Sequence, residues 1–395
     1  MSVVAILSTC ADLSAHTLHH VLAAKGHQAA WLQGADFPAA LTLSIAHDGG
    51  QWHSEFAALG GEGADDSVRS VWVRRAVEYG PVPGALKRIA AAEANLARAE
   101  CIAMRRCFLG TFARSALWVN PWYSVAPAND KALQLRIATE IGLKVPATLM
   151  SNCPQRIRAF IRQHGGRVVY KGFGPVGINT TAVTAADLPD DDALVRMLPG
   201  IYQEIIAKAY ELRVTVVGQR VFAYRIDSQS TQKGQVDWRA AYDEIDVAAT
   251  TLPALLDQRC LEVCRRLQLQ YGALDLICTP SGEVVFLEVN ESGQFVFLEN
   301  MASKLGNAAH PIVDALAEML IQGRADYDWQ PERRHLWGDD PDIQRQSVER
   351  RNRLLPLHQY PPEMCTGSLD GSAHARFEEQ LAARRTQRAH TAMQA

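Results

Sequence analysis

Short apolar runs separated by longer amphipathic stretches organise the chain from its first residues. Residues 3–7 predict a buried strand, 13–25 a helix, and 29–33 and 40–45 two further strands. Residues 70–73 predict another strand, which runs into Arg74 and Arg75. An Ala-rich amphipathic pattern over 85–116 predicts a long helix. A new segment opens at Val119-Asn120-Pro121. Asn129 or Asp130 can cap a helix over 132–141, which Gly142 ends, and Val145-Pro146 begins an extended piece. Strands then dominate, over 168–171, 179–183, 201–205, 213–217 and 221–226. A helix over 254–267 follows, then strands 272–278 and 284–289, then a helix over 311–321. Gly218-Gln219 and Pro280-Ser281-Gly282 have the chemistry of hairpin turns. The pattern is of mixed α/β (α+β) class, with a small α/β unit over 1–120 ahead of a strand-rich region over 121–325.

Composition narrows this picture. Over 395 residues, 48% hydrophobic and 21% charged, the chain has room for two or three domains. A net charge of −3 gives no overall pull toward nucleic acid or membrane. No apolar run approaches the ~18 residues of a membrane span. The first residues lack the basic lead-in of a secretory signal, so a cytoplasmic protein is expected. Eight cysteines include no Cys-x-x-Cys, and reduced, mostly packed thiols are expected, Cys260 and Cys264 sharing one helix face. The twelve histidines show no catalytic or ligand spacing. Beyond residue 325 the chain turns rich in Arg, Gln, Pro and His. This C-terminal extension, 326–395, reads either as a partly disordered tail with one helix near 373–385 or as a third domain.

Two local patterns carry chemistry. The run Gly172-Phe173-Gly174-Pro175-Val176-Gly177 matches a dinucleotide fingerprint, but strand-like residues follow where that fold needs a helix. With Lys171 just before it, the run reads as a phosphate-covering loop or as an ordinary hairpin. The sharper pattern is Asp275 in one apolar strand with Glu288 and Asn290 in the next. Buried carboxylates cost several kcal/mol unless compensated. Cross-strand pairing can bring Asp275 to Glu288, and Glu288 and Asn290 share a face. Three hard oxygen donors suit Mg²⁺; the alternative is pairing with Arg or Lys on a solvated sheet face.

The order Lys131, Lys171, Gln203-Glu204-Ile205-Ile206, Asp275 and Glu288-Val289-Asn290 resembles the ATP-grasp superfamily over roughly residues 120–325. Further wording, including Val71-Trp72-Val73-Arg74-Arg75, Asp237-Trp238-Arg239 and Glu288-Val289-Asn290-Glu291-Ser292-Gly293-Gln294, is similar to the microviridin-type (graspetide) peptide maturases of ribosomal peptide biosynthesis, relatives of the ribosomal-protein glutamate ligases. The resemblance implies an ATP-grasp fold behind a pre-ATP-grasp α/β domain. Glu291, and Phe295-Val296-Phe297 where Trp-rich wording is common, depart from that family near the expected acceptor pocket.

It also implies roles. Lys131 and Lys171 would hold phosphates of ATP, and Gln203, Glu204 and Ile206 would line the adenine hinge. Glu211 would accept from ribose, and Asp275, Glu288 and Asn290 would hold magnesium. Arg213 would stand beside the transferring phosphoryl group, its alternative being an ion pair with Glu204 or Glu211. Arg225, Asp237, Trp238 and Arg239 would touch a precursor peptide of leader plus core, although Trp238 could equally be a packing corner. Arg74 and Arg75 read as ion-pairing or partner-binding residues. The implied reaction activates Asp or Glu side chains as acyl phosphates and closes ester or amide cross-links, in a cytoplasmic homodimer. The alternatives are ligation of a free amino acid to a peptide, protein or small molecule, and nucleotide binding without catalysis.

Overall fold

The computed structural model describes residues 2–9, 12–38, 40–58, 61–74, 91–173, 180–232, 234–241, 244–304, 311–330, 345–346 and 349. Its first apolar run, β1 (Val3–Leu7), leads into helix α1 (Leu13–Ala24), where the Asp12 carboxylate caps the first turn through Ala15 N at 3.0 Å. Strand β2 (Ala29–Leu32) follows. An antiparallel three-stranded unit, β3 (Leu41–Asp48), β4 (Gln51–Ala58) and β5 (Gly61–Ala64), precedes β6 (Val68–Val73). After α2 (Ala91–Thr111), β7 (Leu117–Val119) completes a parallel sheet in the order β2-β1-β6-β7.

Helices α3 (Trp122–Ala128) and α4 (Lys131–Glu140) connect to the next unit, with Asp130 capping α4 through Leu133 N at 2.9 Å. Strand β8 (Thr148–Ser151), helix α5 (Pro154–Gln163), strands β9 (Val168–Lys171) and β10 (Thr181–Val183), helix α6 (Asp192–Met197) and strand β11 (Gly200–Glu204) form it. Its antiparallel sheet runs β10-β9-β11-β8, with Ile157 and Ile161 of α5 packed on Val168 and Tyr202.

The third unit comprises β12 (Tyr210–Val217), β13 (Arg220–Ile226), β14 (Val247–Thr250), α7 (Ala254–Arg266), β15 (Tyr271–Cys278) and β16 (Val284–Asn290). Its antiparallel sheet runs β14-β13-β12-β15-β16, which leaves β16 at an edge. Alternation assigns the faces. Val214, Val216, Leu274 and Leu276 pack with Ile137 of α4 and Cys260 and Cys264 of α7. The residues between them, Arg213 and Asp275 among them, line a cavity. Helix α8 (Val296–Lys304) and the apolar helix α9 (Pro311–Gln322) close the chain's core. Ile312, Leu316 and Leu320 of α9 share one cluster with Leu18 and Leu22 of α1 and Val217 of β12, which joins the parallel sheet to the five-stranded one.

Several elements were not legible in the pattern. Strands β4 and β5 lie in a ribbon exposed at its tip, and the buried face of β4 carries polar Ser54 beside Phe56, so the apolar pattern there is short. Short α5 and α6 are likewise polar over much of their surface, and the four-residue β14 is exposed at Ala248, Ala249 and Thr250. The change of character placed at residue 326 comes slightly later in space. Tyr327 is 3% exposed under Arg220, and Trp329 Nε1 donates to Asp314 at 2.8 Å. The helix expected near 373–385, Arg75, Cys10, Cys365 and residues 174–179 of the glycine loop lie outside the described residues. The six described cysteines are free thiols, and no described helix is long and apolar enough to cross a membrane.

Candidate active site

Asp275 and Glu288 are register partners across β15 and β16. That encounter depends on a β-bulge. Phe286 opposes Leu276 and Glu288 opposes Asp275, so Leu287 is the extra residue. Phe286 is fully buried on the helix-side face. Unbroken alternation from Phe286 would send Glu288 into that same core. The bulge instead turns Glu288, and then Asn290, into the cavity. Asn290 Nδ2 donates to Asp275 Oδ2 at 3.1 Å and to Glu288 Oε1 at 3.4 Å.

Each carboxylate has its own cation. Arg213 lies directly across from Asp275 on β12, and its Nη1 is 2.7 Å from both Asp275 oxygens. This corrects the alternative pairing with Glu204 or Glu211, because register puts Asp275, not either glutamate, opposite Arg213. Lys131 Nζ, from the first turn of α4, sits 2.7 Å from Glu288 Oε2. Burial opposes the charge on Glu288, but Lys131 and Lys171 outweigh it and hold the carboxyl at about 2. Burial pulls the Lys171 ammonium below its ordinary value, and Glu288 and Asp275 only partly offset that. Lys171 makes no salt bridge among the described residues.

The donor set fits magnesium. Two carboxylates and an amide lie within hydrogen-bond reach of one another, all hard ligands. Asn290 aims its Nδ2 at the acids, and a half-turn of the amide presents Oδ1 instead. Among the described residues no three His, Cys, Asp or Glu side chains form a competing cluster.

The cavity holding these groups measures about 1590 Å³, well above the several hundred Å³ of a single small-molecule site. Along its β11 side lie Gln203, Glu204 and Ile206. Gln203 donates to Thr148 Oγ1 at 3.1 Å, while its Oε1 is buried with no partner among the described residues. Glu204 Oε1 accepts from Ala147 N at 2.8 Å and Glu204 N donates to Ala147 O at 3.0 Å, which leaves the carbonyl as what its main chain offers a ligand. Glu211 is buried, which raises its pKa, although Lys208 Nζ at 2.8 Å acts against the rise. Asp237, Trp238 and Arg239 also line the cavity, with Asp237 Oδ2 accepting from Thr180 N at 3.3 Å just before β10. Arg239 Nη2 pairs with Asp237 Oδ2 at 2.7 Å, and Trp238 stacks on Phe297 at 5.3 Å. Arg225 is the one expected residue outside the cavity. It pairs with Asp227 at 2.8 Å and lies over the Tyr210 ring.

The loop after β16 is held by residues the sequence reading passed over or left open. Glu291 O accepts from Asn120 Nδ2 at 2.8 Å, and Ser292 O accepts from Arg74 Nη1. Gly293 O accepts from Tyr271 Oη at 2.6 Å, and Gln294 O lies 3.4 Å from Arg213 Nη2. Four successive carbonyls are thus turned toward four donors on four strands or their ends. Arg74, 1% exposed, also pairs with Asp12 at 3.2 Å, so its ion-pairing reading describes it. A Cβ on Gly293 would meet Ala273 Cβ at 2.3 Å and Arg213 Nη2 at 2.7 Å, which explains glycine there. Asn120 and Tyr271 gave no spacing signal, since each is a single polar group in an apolar setting.

No protein-family model matches the chain, and no curated protein matches it in sequence. Solved structures do. The Chryseobacterium gregarium RiPP-associated ATP-grasp ligase, in complex with ADP and a leader and core peptide, is 26% identical with a TM-score of 0.71. The match covers 84% of this chain and 100% of that one. Macrocyclase MdnC from Microcystis aeruginosa, bound with precursor peptide MdnA, is 29% identical with a TM-score of 0.67, covering 82% of this chain and 100% of its own. ATP-grasp ligase PsnB, complexed with a precursor variant, Mg and ADP, shares the fold at 23% identity and a TM-score of 0.64, over 82% of this chain and 98% of that one.

Proposed function

We propose that this chain, a member of the ATP-grasp superfamily, is an ATP-dependent, ADP-forming ligase that macrocyclises a ribosomally made precursor peptide. The observation that carries the reading is the paired quartet Arg213–Asp275 and Lys131–Glu288, with Asn290 between the acids, inside a cavity too large for a nucleotide alone. Its structural neighbours, bound to ADP and to precursor peptides, support the substrate class.

In this reading residues 121–325 hold the nucleotide, and residues 1–120 act as the pre-ATP-grasp domain. The β11 edge receives adenine on Gln203 and the main chain of Glu204 and Ile206, and Glu211 accepts from ribose. Lys131 and Lys171 meet the phosphates. Asp275, Glu288 and Asn290 would hold magnesium, which when bound would neutralise phosphate oxygens. A peptide Asp or Glu carboxylate attacks the γ-phosphorus and ADP leaves, giving an acyl phosphate whose developing charge Arg213 faces. A Lys amine or a Ser or Thr hydroxyl of the same peptide then attacks the acyl carbon. Phosphate departs and the nucleophile gives up its proton. Asp237, Trp238 and Arg239 meet the peptide in this reading, while Arg225 lies outside the cavity, paired with Asp227.

The test is mass spectrometry of short peptides encoded beside the gene after incubation with enzyme, ATP and magnesium. Loss of one water per bond, matched by ADP, is expected. Gain of an amino-acid mass would replace the macrocyclase by a free-amino-acid ligase, and nucleotide binding without ADP would replace it by a regulator. The cytoplasmic homodimer belongs to the same proposal, and light scattering reads the subunit number directly.

A further inference from the structure

Strand β16 carries two of the three proposed magnesium ligands, yet it lies at the edge of its sheet and is bulged at Leu287. A bulge interrupts the ladder and loosens the register beyond it. An edge strand also leaves alternate N–H and C=O groups without a neighbour. Both weaknesses fall on Val289, the residue between Glu288 and Asn290.

Gln134 answers both. It lies on α4, three residues after Lys131, and is fully buried. Val289 N donates to Gln134 Oε1 at 3.0 Å, and Gln134 Nε2 donates to Val289 O at 2.8 Å. The same Nε2 donates to Ala128 O at 2.6 Å, at the end of α3. One primary amide therefore stands in for a missing strand, giving Val289 both a donor and an acceptor. The amide orientation is fixed by its partners, since the reverse would set N–H against N–H and oxygen against oxygen. One turn away on the same helix face, Lys131 grips the Glu288 side chain at 2.7 Å. Helix α4 thus holds β16 twice, at a side chain and at the main chain beside it.

We propose that Gln134 is a positioning residue for the magnesium site, locking the register of Glu288 and Asn290 after the bulge. The proposal rests on the ATP-dependent ligase reading, because it takes those two residues as metal ligands. An unlocked β16 lets the pair shift relative to Asp275, and outer partners of metal ligands typically contribute about 10–100-fold in affinity.

The test uses the full chain with Mn²⁺ and ADP as probes and needs no peptide. Gln134→Met keeps the side-chain length and removes all three hydrogen bonds, and Gln134→Asn keeps an amide that no longer reaches. The second carries the test if the first does not fold. Electron paramagnetic resonance gives the Mn²⁺ dissociation constant at saturating ADP, and calorimetry in EDTA gives ADP affinity without metal. The expected result is Mn²⁺ binding about tenfold weaker or more, with a broadened bound spectrum, and metal-free ADP affinity within about twofold of wild type. Unchanged Mn²⁺ affinity overturns the proposal. So does a parallel loss of both affinities, which marks a purely structural glutamine. A wild-type chain that takes up no Mn²⁺ with ADP refutes the metal reading itself, before any variant is made.

Discussion

The two walls of the cavity are built on opposite plans. On the five-stranded sheet every charge at the centre already has a partner: Asp275 with Arg213, Glu288 with Lys131, and Asn290 bridging the acids. On the four-stranded sheet Lys171 has no salt bridge among the described residues, Gln203 Oε1 is buried without a partner, and the glycine run follows at the strand end. The charges of one wall are paired, with Arg213 Nε as a buried donor that makes no hydrogen bond among the described residues, and the other has an ammonium and an amide oxygen left over. A nucleotide therefore completes the second wall and redistributes charge on the first. Preorganised charge and unspent hydrogen-bonding capacity are separate resources, and the site places them on separate sheets.

The contrast breaks most severely at Glu288. Glu288→Gln should cut ADP formation by about 10³-fold or more, since it replaces an anionic metal donor with a neutral amide and leaves Lys131 without its counter-ion. Stability should respond with pH as well. The carboxyl lies at about 2 in the fold against 4.5 ordinarily, so its stabilising contribution is complete above 4.5 and fades as pH falls from there toward 2. The Tm gap between wild type and Glu288→Gln should narrow over that window. A constant gap would show that the pairing does not set the shift.

Lys171→Met probes the other wall, where the sign reverses. The lysine's pKa is lowered, so the fold resists its charge, and removing that charge should raise the Tm of the nucleotide-free protein near neutral pH. ATP affinity should meanwhile fall by about 10–100-fold, read by calorimetry. A variant losing both stability and affinity would place Lys171 with the satisfied wall.

Gly293→Ala tests how closely the satisfied wall is packed. The added methyl group would collide with Ala273 and push Arg213 from Asp275. A loss of about 1–3 kcal/mol in stability is expected from overpacking, with about tenfold slower ADP formation. Wild-type turnover would mean that Arg213 does not need its present position.

These two plans were unequally legible in the sequence. Polar side chains inside apolar strands stand out in a linear pattern, so Asp275, Glu288, Asn290 and Lys171 could be picked out, and the turn at Pro280-Ser281-Gly282 implied that the two acids meet. The bulge at Leu287 could not be read. The run from Val284 to Asn290 is apolar on both sides of the strand, and only the register reveals where alternation breaks. The roles of Gln134, Asn120 and Tyr271 could not be read for a related reason. Their partners lie 155, 151 or 171, and 22 residues away along the chain, and backbone groups carry no residue signature. Pairings with side chains were half legible, as Arg213 shows: its charge was noticed, but its partner was set by strand order. Strands β4 and β5 escaped because the buried face of β4 is carried by Ser54 and Phe56, one of them polar, which is too little to imprint an apolar period.

The finest test concerns whether the loop of Glu291–Gln294 behaves as one unit. Tyr271→Phe removes a single hydroxyl and keeps the ring beside Phe295, 6.1 Å away, so the core should survive. If the four carbonyl tethers act independently, losing one should cost about 0.5–1.5 kcal/mol, or roughly 2–10-fold in peptide-dependent ADP formation. Affinity for ADP should not change, because the loop adjoins Arg213 and lies away from the β11 edge proposed for adenine. If the tethers are cooperative, the effect should approach that of displacing Arg213 itself, and an Asn120→Ala, Tyr271→Phe pair should lose less than the sum of the two. A strictly additive pair would show that each donor fixes only its own carbonyl, and that the satisfied wall is a set of separate contacts and not a single preorganised surface.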